Sequence, residues 1–276
     1  TDVGKVRHHN EDTALVITAA HDGDSASPAL GVFILADGMG GHRSGEVASS
    51  LAARAAAHHI LDQFYLPTLI SQEHNSGQPA LKEMLVDAVR AANTTVADQV
   101  PGGGTTLTCA LVLGSHVYIA HVGDSRAYVV TKGGLDQITH DHSLVDRLVE
   151  MGQLTHDEAA DHPHKNVLYR AVGQSGLLEV DTYLQTIPEG GRLLLCSDGL
   201  WGLVSEVDII DIITAAPSPQ EACRRLIASA NQAGGGDNIT AILAEVELES
   251  NGGRQGRKAG MSPYSSPSSI PAVFMK

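Results

Sequence analysis

Four aspartates in this chain share one unusual setting. Asp37 follows GVFILA, Asp124 follows HVYIAHVG, Asp198 follows LLLCS, and Asp237 precedes NITAILAEV; each adjoins a glycine where a hydrophobic run begins or ends. Asn10-Glu11-Asp12 stands just before the first such run. Taken singly, Asp-Gly is an ordinary turn. Four such corners plus an acidic pair would, if the strand ends converge, gather several carboxylates in one small volume. Like charges gathered in this way need a cation to neutralise them. The donors are all hard oxygens, and no His or Cys stands at tetrahedral zinc spacing, so the implied ion is Mn²⁺ or Mg²⁺. The flanking glycines let backbone approach closely and offer carbonyls as further ligands. A carboxylate cluster holding two such ions is a common arrangement for hydrolysing phosphate esters.

The elements that must position these residues are legible as alternating patterns. Thr13–Ala19 and Gly31–Ala36 are short runs rich in Val and Ile and predict strands. Residues 45–64 and 79–100 carry apolar residues at helical spacing. TTLTCALVL, HVYIAHV and RAYVVT predict further strands, with a hairpin turn at Lys132-Gly133-Gly134. After the strand Arg192–Cys196 come two helices with N-caps: Ser205 three before Asp208, and a capping box at SPQE (Ser218–Glu221) with Pro at the first helical position. A last strand is expected over Asn238–Glu247. Antiparallel strands interrupted by paired helices predict an α+β fold, two antiparallel sheets packed as a central sandwich with pairs of helices outside. Residues 140–174 are rich in His and Asp, with one short helix near Ser143–Met151, and are expected to form a mobile, surface-exposed flap. The catalytic domain is expected to span 1–247. Residues 248–276, rich in Gly, Ser and Pro, are expected to be a disordered tail.

Composition excludes several function classes. The chain has 276 residues, is 42% hydrophobic and carries a formal charge of −14. Residues 251–276 hold four basic residues and no acid, so the preceding body carries −18. An acidic body argues against a nucleic-acid groove and suits cation binding. No apolar run reaches the roughly 20 residues of a membrane helix, and the polar start does not resemble a signal peptide, so a cytoplasmic location without membrane attachment is expected. The three cysteines are scattered and read as reduced core thiols. A cysteine-phosphatase mechanism needs Arg six residues after the nucleophile; Ser115, Gly202 and Ser229 stand there instead.

RHHNED (7–12), ADGMGGH (36–42), GGTT (103–106), HVGDSR (121–126), CSDGLWG (196–202) and GGDNIT (235–240) occur in this order. Together they resemble the bacterial branch of the metal-dependent type 2C protein serine/threonine phosphatases, over roughly residues 1–247. The resemblance implies that Asp37 bridges two metal ions and that Gly38 lends its carbonyl. Asp198 and Asp237 complete the first ion's shell, while Glu11, with Asp12 beside it, holds the second. Asp124 with Asp198 holds a third, weaker ion, and a further flap ligand falls near Asn166. Arg7 is the substrate-binding residue, its guanidinium fork pairing two phosphate oxygens. The catalytic set is then Arg7, Asp37 and Asp198, acting by direct attack of a metal-bridging hydroxide. Eukaryotic relatives have a His after the Asp-Gly pair. Met39 stands there, so that proton donor has no direct counterpart; His42 is nearby, and simple surface exposure is the favoured reading of it.

The resemblance also implies phosphorylated proteins as substrates, a Ser/Thr kinase in opposition, and a monomer. Two alternatives stand beside this reading: a non-catalytic regulatory module of the same fold, or a phosphatase dedicated to one regulator such as an anti-sigma antagonist or a secretion-system component. Solvated loop histidines are expected at His140, His142, His162 and His164, a core anchor at Trp201, and a structural ion pair at Arg126. Only six residues precede Arg7, where family members have a further strand; either the chain is trimmed or that edge strand is absent, which would leave a sheet edge exposed.

Overall fold

A computed structural model describes residues 1–19, 30–40, 43–70 and 78–245. His42 and the tail from 248 onward lie outside the described residues. In chain order the elements are β1 (Asp12–Ala19), β2 (Leu30–Met39), α1 (Arg43–Ile60), α2 (Leu66–Ile70), α3 (Gln78–Gln99), β3 (Gly104–Thr105), β4 (Leu107–Leu113), β5 (His116–Val122), β6 (Arg126–Thr131) and β7 (Gly134–Gln137). There follow α4 (Leu144–Glu150), α5 (His156–Ala160), β8 (Asp181–Thr186), β9 (Arg192–Cys196), α6 (Asp198–Trp201), α7 (Glu206–Ala215), α8 (Pro219–Gln232) and β10 (Ala241–Glu245).

Two antiparallel sheets form the centre. One runs β1-β2-β4-β5-β8 with β3 paired to β2; the other runs β10-β9-β6-β7. Strand periodicity explains the layers. In β2, Phe33 and Leu35 face the second sheet, meeting Ala127, Val129, Leu193 and Leu195. Val32, Ile34 and Ala36, one residue out of phase, face α1 and α3, where Ala48, Ala52, Leu85 and Val89 pack on them. Strands buried on both faces read as unbroken apolar runs rather than alternation. The other outer layer is α7 and α8, whose Ile209, Ile213, Cys223 and Leu226 cover Leu194 and Cys196. Each such Leu or Ile, fully buried, contributes about 1.5–3 kcal/mol. The expected helix–sheet–sheet–helix architecture is the one observed.

Local signals act as expected at the two cap sites. Ser205 Oγ accepts from Asp208 N, and Ser218 Oγ from Glu221 N, each at 3.2 Å. Only half of the expected box at Ser218 forms, because Glu221 turns to Arg224 and Arg225 at 2.7 and 2.8 Å. A full capping box forms instead at Thr155 and Glu158, starting α5, a helix absent from the sequence reading. β8 is also absent from that reading; as the outer strand of its sheet it lacks an apolar run. The helix expected to end at residue 64 continues through a π-helical turn, Leu61–Tyr65, into α2. Pro67 offers no N–H to a regular turn, and a wider turn accommodates that. Near the start of the chain, Asp2 pairs with Ile239 just before β10, exchanging two backbone hydrogen bonds of 2.8 and 2.9 Å.

Candidate metal centre

The aspartates converge because antiparallel pairing brings the strand ends together. Asp12 sits directly opposite Asp37 in the β1–β2 register. Asp124 follows β5, Asp198 opens α6 after β9, and Asp237 precedes β10. One cavity of about 230 Å³ is lined by Arg7, Glu11, Asp37, Gly38, Asp124, Asp198 and Asp237, with Met39, Thr106, Asn166 and Leu168. Seven of the eight expected site residues therefore share one space. The eighth, Asp12, lies behind it: its Oδ2 accepts from Thr240 Oγ1 at 2.6 Å and Ser197 Oγ at 2.9 Å. Asn166, the expected flap position, also lines the cavity.

Each carboxylate is held by backbone rather than by a long side chain. Asp37 N donates to Thr106 Oγ1 at 2.9 Å, and Asp37 O accepts from Thr106 N and Thr105 Oγ1, both at 2.8 Å. Thr106 is in turn braced by Ser125 Oγ at 2.8 Å. Glu11 N donates to Asn238 Oδ1 at 2.8 Å, while Asn238 Nδ2 donates to the carbonyls of Val3 and His9. Asn238 thus ties the segment carrying Arg7 to the loop carrying Asp237. A side chain on Gly38 would collide with the carbonyl oxygens of Gly45 and Glu11, so only glycine fits this approach. Thr106, Ser125, Ser197, Asn238 and Thr240 were not singled out by sequence. Their one signal is adjacency: Ser125, Ser197, Asn238 and Thr240 stand in motifs that contain an acid, and Thr106 stands in GGTT, which contains none.

The electrostatics are one-sided. Burial, then the charges of Asp12, Asp198, Asp124 and Asp237, holds the Asp37 carboxyl well above the usual range. Asp124 is raised well above it by burial and then by Asp198 and Asp141. Burial followed by Asp237 and Asp12 pushes Asp198 up to about 6. Arg7 meets this cluster with one ion pair, to Asp237 Oδ2 at 2.7 Å, which raises its own pKa. Asp12 Oδ1 is buried with no hydrogen-bond partner. Buried carboxylates short of cation and an orphaned buried oxygen fit divalent ions that prefer oxygen donors. Among the described residues no three such side chains close on a single point. Mg²⁺ tolerates that openness, because it keeps several waters and takes only one or two protein carboxylates.

A second polar cluster lies alongside. Arg126 makes a bidentate pair with Asp141, its Nε at 3.0 Å from Oδ1 and its Nη2 at 2.8 Å from Oδ2. Its guanidinium also lies 3.5 Å over the Trp201 ring. The ion-pair role expected of Arg126 is the one observed. Trp201 packs on the second sheet's core, and its Nε1 donates to the Asp124 carbonyl at 3.0 Å. His142 departs from expectation: it is buried, accepts from Gly123 N at 3.1 Å and lies 3.3 Å from Asp181 Oδ2. Two Gly123 backbone groups, the Tyr169 ring and the Arg170 guanidinium enclose it, so spacing alone could not reveal it.

Comparison with known proteins places this geometry. Residues 9–233 match the family described as Protein phosphatase 2C. The serine/threonine phosphatase Stp of Listeria welshimeri is 39% identical over 256 residues, covering 91% of this chain and 96% of that protein. The crystal structure of the Mycobacterium tuberculosis serine/threonine phosphatase PstP superposes with a TM-score of 0.72 at 37% identity, over 88% of this chain and 94% of that one. A PstP catalytic domain in complex with two manganese ions superposes at 0.69 with 36% identity, with the same coverage of both chains. With its αββα layers, its ring of strand-end aspartates and these matches over most of its length, the chain belongs to the protein phosphatase 2C family.

Proposed function

We propose that this chain is a Mn²⁺- or Mg²⁺-dependent protein serine/threonine phosphatase that hydrolyses phosphoserine and phosphothreonine in proteins. The single observation that carries the reading is the cavity in which Arg7 faces Asp37, Asp124, Asp198 and Asp237. Asp37, Gly38, Asp198, Asp237 and Glu11 would hold two ions, with Asp12 behind them, and Asp124 with Asp198 a third. When bound, such ions supply Lewis-acid activation of water and neutralise charge on phosphoryl oxygens. Arg7, fixed by Asp237, presents the rest of its donor fork to the phosphoryl group and strengthens as negative charge develops there. Asn166 and Leu168, from the 140–174 segment, close one side of the cavity and shape access to it.

The reading extends to a cytoplasmic monomer opposing a Ser/Thr kinase. The acidic body argues against a nucleic-acid partner, and no helix among the described residues is long and apolar enough to cross a membrane. The test is hydrolysis of a phosphothreonine peptide by the parent and by Asp198→Asn, with and without Mn²⁺. Turnover that needs Mn²⁺, is abolished by EDTA and falls by orders of magnitude in Asp198→Asn is expected. Metal-independent turnover would overturn the mechanism, and metal binding without turnover would favour a regulatory module.

A further inference from the structure

A larger cavity of about 680 Å³ opens off the carboxylate cavity, and the two share Arg7, Asp124, Asn166, Asp198 and Asp237. They form one depression with a charged end and an apolar end. At the apolar end, Val145 and Val149 of α4 face Leu203 and Ile209, which follow α6 and open α7. Trp201 also lines the larger cavity, held in place by Asp124 O and Arg126. Asp146 and Glu206 also line it, and neither joins an ion pair among the described residues. The volume is that of a ligand site, and the lining combines an apolar floor with a few charged groups.

A phosphorylated residue seated at Arg7 carries its neighbours with it, because successive Cα atoms are about 3.8 Å apart. In an extended segment alternate side chains face one way. The apolar end therefore lies where side chains a few residues from the phosphate must pass. We infer that it is a specificity subsite for an aliphatic side chain of the phosphorylated polypeptide, within four residues of the phosphoresidue. A neighbouring Lys or Arg of the same segment pairs with Asp146 or Glu206. The occupant follows from continuity with the phosphate end and from a lining in which acids outnumber Arg7, Arg126 and Lys165, and the inference rests on the phosphatase reading above.

The test uses Mn²⁺-loaded protein, p-nitrophenyl phosphate as a substrate without flanking residues, and phosphothreonine peptides. In the peptides, Leu and then Arg replaces Ala at each of four positions on either side. One Leu position is expected to raise kcat/KM about tenfold over the Ala peptide, the range of one aliphatic group in an apolar pocket. Val149→Asn should bring that ratio to about one, and Asp146→Asn should remove the preference for Arg while leaving that for Leu. A variant that lowers every substrate by one factor and preserves the ratios would overturn the subsite. So would p-nitrophenyl phosphate turnover with indifference to every flank. Absence of turnover on any substrate would instead overturn the phosphatase reading, and the subsite with it.

Discussion

The two buried polar clusters lie side by side at one end of the sandwich, yet they balance charge in opposite ways. Around Arg126 and Arg170 the protein supplies both signs itself: Arg126 pairs with Asp141, and Arg170 with Asp181 and Glu179, each at 2.8 Å. The histidines there are kept neutral, His121 being driven down to about 3 by burial and then by His142. Around Asp37 the charge is almost all negative, and Arg7 alone among the lining residues opposes it. A buried charge without a partner is costly, so a fold keeps one only where something completes it. The first cluster is finished by the chain and holds the 140–174 segment to the sheets. The second is finished from outside, and that difference separates structure from chemistry here.

The comparison breaks most sharply at Asp37. Asp37→Asn should lower phosphopeptide turnover by roughly a thousandfold, while the metal-free chain unfolds at the same or higher urea concentration because a repelling charge is gone. A clear loss of metal-free stability would mean that Asp37 belongs to the structural cluster. The reverse is expected of Asp141→Ala, which strands the mostly buried Arg126. Its cost is about 3–5 kcal/mol by urea unfolding, largely recovered in the double variant with Arg126→Met. Equal stability of parent and Asp141→Ala would erase the distinction from the other side.

A subtler expectation concerns pH. Without ions, Asp198 is raised from its ordinary 3.8 to about 6, so the native state holds more protons than the unfolded chain between these values. Metal-free stability therefore loses this contribution as pH rises through that window. With Mn²⁺ the carboxylates are already ionised and the loss disappears. The buried histidines titrate with the opposite sign but equally in both samples, so they cancel in the difference. Unfolding curves with Mn²⁺ and with EDTA should draw apart as pH rises from 4 to 6, and Asp37 and Asp124, raised in the same direction, add to the separation. A constant gap would show that the carboxylate cluster does not exchange protons for metal.

Much of this was legible in one dimension. The strand-end aspartates and the helix starts at Ser205 and Ser218 depend on nearest neighbours in sequence; the caps form at both serines, and the aspartates share one cavity with Arg7, which motif order alone marked. What was missed depends on partners far along the chain. β8 is a strand because β5 lends it a ladder, although its own residues, DTYLQT, lack an apolar run. His142 is buried because Gly123 and Asp181, 19 and 39 positions away, enclose it. Asn238 ties two loops through carbonyls that no local pattern marks.

Composition and motif order thus suffice for the family, the donor chemistry and the hard-cation preference, because these follow from residue type. Which carboxylates share a cavity, which one retires behind it and how far each is pushed from its ordinary pKa were decided only when antiparallel pairing brought Asp12 against Asp37 and the ends of β5 and β9 beside them. Charge interactions depend on distance and burial, and neither quantity exists until the sheets have packed.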